Sequence, residues 1–170
     1  MRVLFLDFDG VLNSERYMEK IQLELEKRHT QERGFQKRDY RDMIDPDAVA
    51  RVSTILERTD AKVCVSSTWR KLFTIPELQT MLREKGFRGQ LIGRTPDFWR
   101  TPELQANHGR RCRGHEIQYW LDRHKRYEID RFAILDDDND MAHLASRLVQ
   151  TDALYGLQDE HVERAVSMLT

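Results

Sequence analysis

The chain has 170 residues, a length that fits one domain able to bury a core without disulfides or structural metal. Lys and Arg number 28 against 29 Asp and Glu, so the net charge of −1 predicts no polyanion partner from charge alone. Two cysteines exclude a disulfide framework, and the apolar run around Cys64 predicts a buried, inert thiol. Because no signal-peptide pattern or bilayer-length apolar stretch is present, we expect a cytoplasmic protein with no membrane partner.

Short apolar runs alternate with helical patterns along the chain. The strand candidates are Val3 to Phe8, Val63 to Val65, Leu91-Ile92, Phe132 to Leu135 and Leu148-Val149. The helix candidates are Pro46 to Arg58 after a capping Asp45, Pro76 to Lys85 before Gly86, Glu116 to His124, and Asp159 to Leu169. This order predicts an α/β fold with a largely parallel sheet, helices on both faces, and ligands at the carboxyl ends of the strands.

Residues 15 to 42 carry dense charge of both signs, with eight Lys or Arg and seven Asp or Glu. Met18, Ile21 and Leu25 have helical spacing, which predicts an amphipathic helix followed by a loop. Because this segment follows the first strand, it is either a small cap over the site or a surface insertion. We expect residues 1 to 170 to form a single domain.

Two acidic clusters follow two of the predicted strands. Asp7 and Asp9 end the first strand, where period-2 geometry predicts that both side chains point to one side. Asp136, Asp137 and Asp140 follow the strand at Phe132 to Leu135. In a parallel sheet the two strand ends can meet, and neighbouring carboxylates then require a cation or a shared proton. An all-oxygen site of this kind suits Mg²⁺ together with a substrate phosphate.

The first acidic pair also has the composition needed for phosphoryl transfer. One carboxylate can attack phosphorus to give an aspartyl-phosphate. The other can protonate the leaving oxygen and later activate water. Asp7 and Asp9 fit these two roles.

Four motifs in order resemble those of the haloacid dehalogenase (HAD) superfamily. Asp7-Phe8-Asp9-Gly10-Val11-Leu12 resembles the first, with Asp7 as nucleophile and Asp9 as acid and base. Ser66 resembles the second, whose hydroxyl binds the transferring phosphoryl group; Ser67 or Thr68 is the alternative if the register is shifted. Arg113, just before the helix near Glu116, occupies the place of the basic third motif, usually a lysine, and competes with Arg110 and Arg111.

Asp136-Asp137 resembles the acidic fourth motif, whose second member usually reaches the metal. We therefore favour Asp137, with Asp136 adjacent and Asp140 as the alternative. The resemblance implies a Mg²⁺ site with Asp7 and Asp9 as further ligands. Asp9 also implies phosphate-ester chemistry, since members that act on carbon-halogen or phosphonate bonds generally lack this acid.

A closer resemblance covers most of the chain. It is carried by the first motif through Asn13, Ser66-Ser67-Thr68-Trp69-Arg70, Arg113 with Trp120-Leu121, Asp136-Asp137, and Thr151-Asp152 before Gly156-Leu157. Together these are similar to the small HAD domains of "Swiss army knife" RNA-repair proteins. The kinship implies removal of a terminal phosphate, with an RNA or DNA end as the partner and no obligate protein partner. The alternatives are a small-metabolite or phosphotyrosine/protein phosphatase, or an inactive nucleic-acid-binding or phospho-accepting module.

The segment from Arg94 to Arg113 contains five arginines and the aromatic pair Phe98 and Trp99. One interpretation is that Arg100 and Arg110 bind substrate phosphates while Trp99 stacks on a base, as in single-strand binders. The other is an ordinary surface loop whose aromatic side chains pack into the core. Outside this segment, Trp69 is interpreted as core packing and Arg70 as a structural partner.

Overall fold

A parallel sheet organises the computed structural model, which describes residues 1–29, 40–98 and 112–170. Within these residues, five strands pair in the order β3-β2-β1-β4-β5. The strands are β1 (Arg2–Leu6), β2 (Lys62–Val65), β3 (Leu91–Arg94), β4 (Arg131–Asp136) and β5 (Leu148–Gln150). The helices are α1 (Glu15–His29), α2 (Pro46–Thr59), α3 (Ile75–Glu84), α4 (Arg113–Arg123) and α5 (Asp159–Leu169). The predicted α/β fold class is confirmed.

Helices cover both faces of the sheet because strand side chains alternate between two cores. Leu4 and Leu6 of β1 belong to the core beneath α2, α3 and α5. Phe5 belongs to the other core, where it meets the α4 residue Trp120 edge-on at a centroid distance of 5.5 Å. Cys64 of β2 lies in this second core, and burial raises the pKa of its thiol well above the usual range. The buried thiol predicted from the sequence is therefore confirmed.

Two of the differences between predicted and observed element boundaries bear on the site. β1 ends at Leu6, not at Phe8, so the first acidic pair lies in the following turn. α4 begins at Arg113, before the predicted start near Glu116. By contrast, the predicted cap of α2 is present, with Asp45 Oδ1 accepting a hydrogen bond from the Asp47 amide at 2.9 Å.

The predicted helix in the charged segment is α1, which is anchored at its first turn. The Glu15 amide donates to the carbonyl of Ala153 at 2.9 Å, and the Tyr17 hydroxyl donates to the carbonyl of Ile44 at 3.2 Å. A cap role for residues 15–42 stays a prediction. None of the helices in the described ranges combines the length and apolar character that crossing a bilayer requires.

Candidate active site

Three neighbouring strands end at one level and bring together three of the predicted residues. Leu6 of β1 pairs with Val65 of β2 and with Leu135 of β4, so the next residue of each chain segment lies at the same sheet edge. These residues are Asp7, Ser66 and Asp136, and all three are buried. The sheet register therefore places the two acidic clusters in contact, as the sequence predicted.

Asp7, Asp136 and Asp137 form a carboxylate cluster. Each offers one oxygen, and these oxygens lie within 4.8 Å of one another. Burial raises the pKa of Asp7 to about 6 and that of Asp136 to about 8, with repulsion from Asp7 adding to the effect on Asp136. Burial also raises the pKa of Asp137. One Asp136 oxygen, Oδ2, has no hydrogen-bond partner among the described residues. Oxygen ligands that repel one another in this way fit a divalent cation, so the cluster could bind a metal.

Gly10 lets the turn after β1 press against this cluster. Its φ of +67° is in the left-handed region, and a Cβ built on it would lie 2.4 Å from the Asp137 carboxyl carbon. The Thr151 hydroxyl donates to the Gly10 carbonyl at 2.8 Å and holds the turn. A side chain at position 10 would therefore displace Asp137.

Arg113 provides the cation of the site. Its NH2 atom donates to Asp7 Oδ2 at 3.2 Å, and its Nε lies 3.5 Å from Asp136 Oδ2. Burial would lower the pKa of this guanidinium, but nearby carboxylates, with Asp7 and Asp136 foremost, more than compensate and the pKa is raised. Arg113 therefore faces both Asp7 and Asp136, whereas Arg110 and Arg111 lie outside the described residues.

Asp140 explains why α4 begins earlier than its local sequence predicts. The N-cap residue Cys112 makes no side-chain capping bond. Instead, Asp140 Oδ2 accepts from the Arg113 amide at 3.0 Å, and the Asp140 carbonyl accepts from the Gly114 amide at 3.2 Å. Asp140 lies outside the carboxylate cluster and serves as a helix cap supplied from a distant part of the chain.

Asp9 and Asp7 contact different groups, and the period-2 argument does not apply to this pair. Because β1 ends at Leu6, the two acids lie in a turn, where strand alternation does not hold. Asp9 Oδ1 accepts from Asn13 Nδ2 at 2.9 Å and from Trp69 Nε1 at 3.0 Å, and Oδ2 accepts from the Thr68 hydroxyl at 3.1 Å. The Asp9 carboxylate lies outside the carboxylate cluster.

The sequence interpretation assigned Trp69 to core packing, and the structure shows a further contact with Asp9. Trp69 is 3% exposed and packs on Phe8 at a centroid distance of 5.1 Å, so the packing prediction is confirmed. Its indole N–H also binds Asp9. The sequence reasoning missed this hydrogen bond. It could have been anticipated because the N–H of a buried tryptophan usually has a hydrogen-bond acceptor.

Ser66 and Ser67, two candidates for the second-motif hydroxyl, differ in their contacts. Both side chains are fully buried. A hydrogen bond from the Ser67 hydroxyl to Asp7 opposes the larger effect of burial on the pKa of that carboxyl. Ser66 Oγ has no partner among the described residues, which leaves its hydroxyl able to donate to a bound group.

Arg70 joins the loop after β2 to α4. Its NH2 atom lies 2.6 Å from Glu116 Oε2, and both residues are buried. The same nitrogen donates to the Pro96 carbonyl at 3.1 Å, and the Phe98 amide donates to Glu116 Oε1 at 3.2 Å. Arg70 is thus a structural partner, as the sequence indicated, and it fixes the helix that carries Arg113.

A cavity of about 220 Å³ opens beside Arg113. Its lining residues are Thr68, Arg70, Lys71, Phe98, Cys112, Arg113, Glu116 and Asp140. Trp99, Arg100 and Arg110, the predicted substrate-binding residues, lie outside the described residues. They fall between Phe98 and Cys112 in the sequence, and both of those residues line the cavity.

The site combines acidic residues at the ends of two central strands, a serine at the end of a third and a buried cation. On a parallel sheet, this combination defines a HAD-like phosphoryl-transfer domain. Residues 3–162 match the family described as the HAD domain in Swiss Army Knife RNA repair proteins, and the chain belongs to this family. Comparisons with curated proteins and with solved structures gave no match. The family supports HAD-type phosphoryl transfer in an RNA-repair context.

Proposed function

We propose that this protein is a Mg²⁺-dependent phosphomonoesterase that works through an aspartyl-phosphate on Asp7 and removes a terminal phosphate from a nucleotide or nucleic acid. One observation carries the proposal. The buried Asp7 carboxylate is in contact with Arg113 and forms a cluster with Asp136 and Asp137. A carboxylate nucleophile beside a fixed cation and a divalent-ion site is the arrangement that phosphoryl transfer requires.

Hydrogen bonds to both oxygens of Asp7 orient its carboxylate for attack on phosphorus. Its Oδ1 accepts from the Phe8 amide at 2.6 Å, and its Oδ2 accepts from Arg113 at 3.2 Å. Since burial raises its pKa to about 6, the carboxylate is ionised at neutral pH yet more basic than an exposed aspartate. One Asp7 oxygen would form a bond to phosphorus as the ester P–O bond breaks.

Asp7, Asp136 and Asp137 would hold the Mg²⁺, whose charge offsets that of the carboxylates and of the substrate phosphate. Arg113 adds a second positive charge on the side of α4. Ser66 is positioned to donate its unpaired hydroxyl to a phosphoryl oxygen. These groups are held in place before substrate binds, which is the condition for strong electrostatic stabilisation of the transition state.

Asp9 would act as the acid and base. It would donate a proton to the leaving oxygen in the first step and take a proton from the water that attacks the phosphoryl group on Asp7 in the second. The second step releases phosphate, frees the Asp7 carboxylate and leaves Asp9 protonated, as it was before the first step. Asp9 has three hydrogen-bond donors around it, so its position is defined even in the absence of substrate.

A nucleic-acid end is supported as the substrate by the family and by the local composition. The Arg94–Arg113 segment is rich in arginine, and three of its residues, Phe98, Cys112 and Arg113, line the cavity next to the site. Arginine binds phosphates and aromatic rings stack on bases, which is the reason for proposing Trp99, Arg100 and Arg110 as substrate-binding residues.

A substrate panel with and without EDTA tests the proposal. Phosphate release is measured from 3'- and 5'-phosphorylated RNA and DNA oligonucleotides, mononucleotides and a phosphotyrosine peptide, using Asp7→Asn as the control that keeps the shape of the site. We expect oligonucleotide turnover that EDTA abolishes and Asp7→Asn lacks. Turnover of only the peptide or of small phosphates contradicts the nucleic-acid substrate. Phosphorylation of Asp7 without hydrolysis contradicts the phosphatase itself and favours a phospho-accepting module.

A further inference from the structure

We infer that Thr68 and Trp69 are positioning residues that assign the catalytic proton of Asp9 to one oxygen, Oδ2. The inference rests on the proposed function, since it concerns the acid and base of that reaction. It follows from the identity of the three donors around Asp9 and from the chemistry of each. Thr68 and Trp69 are adjacent in the loop after β2, which also contributes Ser66 and Ser67 to the site.

Oδ1 of Asp9 is held by two hydrogen-bond donors that cannot act as acceptors. The Trp69 indole nitrogen lies 3.0 Å away and can only donate. The Asn13 Nδ2 atom lies 2.9 Å away, and the orientation of this amide is fixed because Asn13 Oδ1 accepts from the Gly10 amide at 3.1 Å. A proton on Oδ1 would face two N–H groups and cost at least one of these hydrogen bonds.

Oδ2 of Asp9 has a partner that can act either as donor or as acceptor of the hydrogen bond. The Thr68 hydroxyl lies 3.1 Å away and can donate to the ionised carboxylate or accept from the protonated carboxylic acid. Both protonation states are therefore satisfied at Oδ2 without movement of the protein. With the partners that the described residues supply, Oδ2 can gain and lose a proton while every partner stays hydrogen-bonded, and Oδ1 cannot.

The residue that contacts Oδ2 also lines the cavity, whereas the tryptophan that contacts Oδ1 does not. Thr68 is exposed and lines the cavity beside Arg113, whereas Trp69 is buried. In the first step the Oδ2–H bond breaks and an O–H bond forms on the leaving oxygen as the P–O ester bond breaks. In the second step Oδ2 takes a proton from the attacking water, and the Asp7–phosphate bond breaks.

Trp69 is suited to hold Oδ1 because its ring is locked in place. Phe8, Tyr40 and Phe73 surround it, with centroid distances of 5.1, 5.2 and 5.9 Å. The Trp69 amide also donates to the Ser67 hydroxyl oxygen at 3.3 Å. Since the ring cannot turn without disturbing three aromatic neighbours, the indole N–H defines the direction of the Asp9 carboxylate.

The test compares two substrates that differ only in their need for an acid. Phenyl phosphate has a basic leaving group that needs a proton, whereas 2,4-dinitrophenyl phosphate has a leaving group stable as an anion. The quantity measured is kcat/KM, which reports the steps through transfer to Asp7. The variants are Trp69→Phe, Thr68→Val and Thr68→Ser. The controls are Thr54→Val, the same change at an exposed position of α2, and Phe73→Leu, a packing change in the same aromatic cluster.

We expect Trp69→Phe and Thr68→Val to lower kcat/KM for phenyl phosphate about tenfold more than for 2,4-dinitrophenyl phosphate, a part of the roughly 100-fold or greater effect of a general acid. Thr68→Ser, which keeps the hydroxyl, restores the wild-type ratio, and both controls keep that ratio. Equal losses for the two substrates in both variants overturn the inference. If Trp69→Phe does not fold, Thr68→Val decides.

The failure of this inference is distinct from that of the proposed function. If wild type is active, Asp7→Asn is inactive and the variants leave the substrate ratio unchanged, only the role of Thr68 and Trp69 is overturned. If Asp7→Asn keeps wild-type activity towards both substrates, the proposed function is overturned and this inference falls with it.

Discussion

Arg113 and Asp7 form a buried ion pair, in which NH2 of the guanidinium lies 3.2 Å from Oδ2 of the carboxylate. The Nε atom of the same guanidinium lies 3.5 Å from Asp136 Oδ2, so a single side chain faces two acids. The planar fork of arginine can serve both carboxylates at once, whereas a lysine ammonium on a flexible stem acts as a point charge. This geometry gives a reason for arginine at a position where related proteins usually have lysine.

We therefore predict that Arg113→Met lowers kcat/KM about 100- to 1,000-fold, the scale for losing one fixed group that stabilises transition-state charge. Arg113→Lys retains the charge and gives a smaller loss. Phosphate release in the presence of Mg²⁺ measures both. Arg123→Met, at the exposed end of the same helix, is the matched control and is expected to stay close to wild type. Equal activity of Arg113→Met and Arg123→Met would contradict the assignment.

Three acids at and just beyond the end of β4, Asp136, Asp137 and Asp140, are predicted to have different functions. Asp136→Asn and Asp137→Asn remove members of the carboxylate cluster, so each is expected to weaken Mg²⁺ binding at least about tenfold. Asp140→Asn keeps a hydrogen-bond acceptor but removes the negative charge at the N-terminus of α4, so it is expected to lower the free energy of unfolding by about 1 kcal/mol or less and to leave Mg²⁺ affinity nearly unchanged. Isothermal titration with Mg²⁺ and urea unfolding measure the two effects.

Asp138→Asn is the control for that series, because Asp138 is exposed and contacts Asp136 only through its backbone amide. It is expected to change neither Mg²⁺ affinity nor stability. If Asp140→Asn abolished Mg²⁺ binding while Asp137→Asn preserved it, the assignment of ligand and cap would be reversed.

Much of the site could be predicted from sequence because its residues directly follow strands. Apolar runs locate β1, β2 and β4, and the parallel arrangement then requires that Asp7, Ser66 and Asp136 meet at one edge. No knowledge of long-range packing is needed for this step. The same reasoning holds for α5, whose observed bounds are those of the predicted helix.

Features that depend on contacts between distant segments could not be predicted in this way. Asp140 caps α4 across 27 residues of sequence, and Trp69 reaches Asp9 across 60. The periodicity of apolar residues in the sequence predicts neither contact. The direction of Asp9 depends on where β1 gives way to a turn, and strand ends are the least certain part of a pattern-based prediction.

The ion pair between Arg70 and Glu116 predicts a large stability effect. Both side chains are buried, with an N–O distance of 2.6 Å, so removing one charge leaves the other without compensation. Glu116→Gln is expected to lower the free energy of unfolding by about 3 kcal/mol. The double variant Arg70→Met/Glu116→Leu is expected to be more stable than Glu116→Gln alone, because neither charge is then left buried. Urea unfolding measures both.

Glu163→Gln provides the comparison for this pair, since it breaks the exposed pair between Glu163 and Arg58. Solvent screens that pair, and a much smaller loss of stability is expected. A loss for Glu163→Gln as large as that for Glu116→Gln would show that burial is not the cause.

The environment of His161 leads us to predict that the free energy of unfolding decreases at mildly acidic pH. It is 6% exposed, and its Nδ1 accepts from the Gln158 amide at 2.9 Å at the start of α5, which requires that nitrogen to be unprotonated. Burial lowers the pKa of His161 below the usual value of 6.5, and the nearby Glu160 only partly opposes this. As the pH falls below about 6.5, the unfolded chain therefore takes up a proton more readily than the folded one. The free energy of unfolding consequently decreases until the folded-state pKa is passed.

Replacing this imidazole should flatten that decrease. We expect His161→Gln to be less stable than wild type at pH 7.5, because it loses buried packing, but to lose less further stability between pH 6.5 and 5. The difference in slope is bounded by one proton, about 1.4 kcal/mol per pH unit. Asp7 and Asp136, whose pKa values are raised, contribute with the opposite sign in both proteins, so they cancel in the comparison. His143→Gln, which replaces an exposed imidazole, should follow the wild-type slope, and a His161→Gln curve parallel to wild type would exclude His161 as the source.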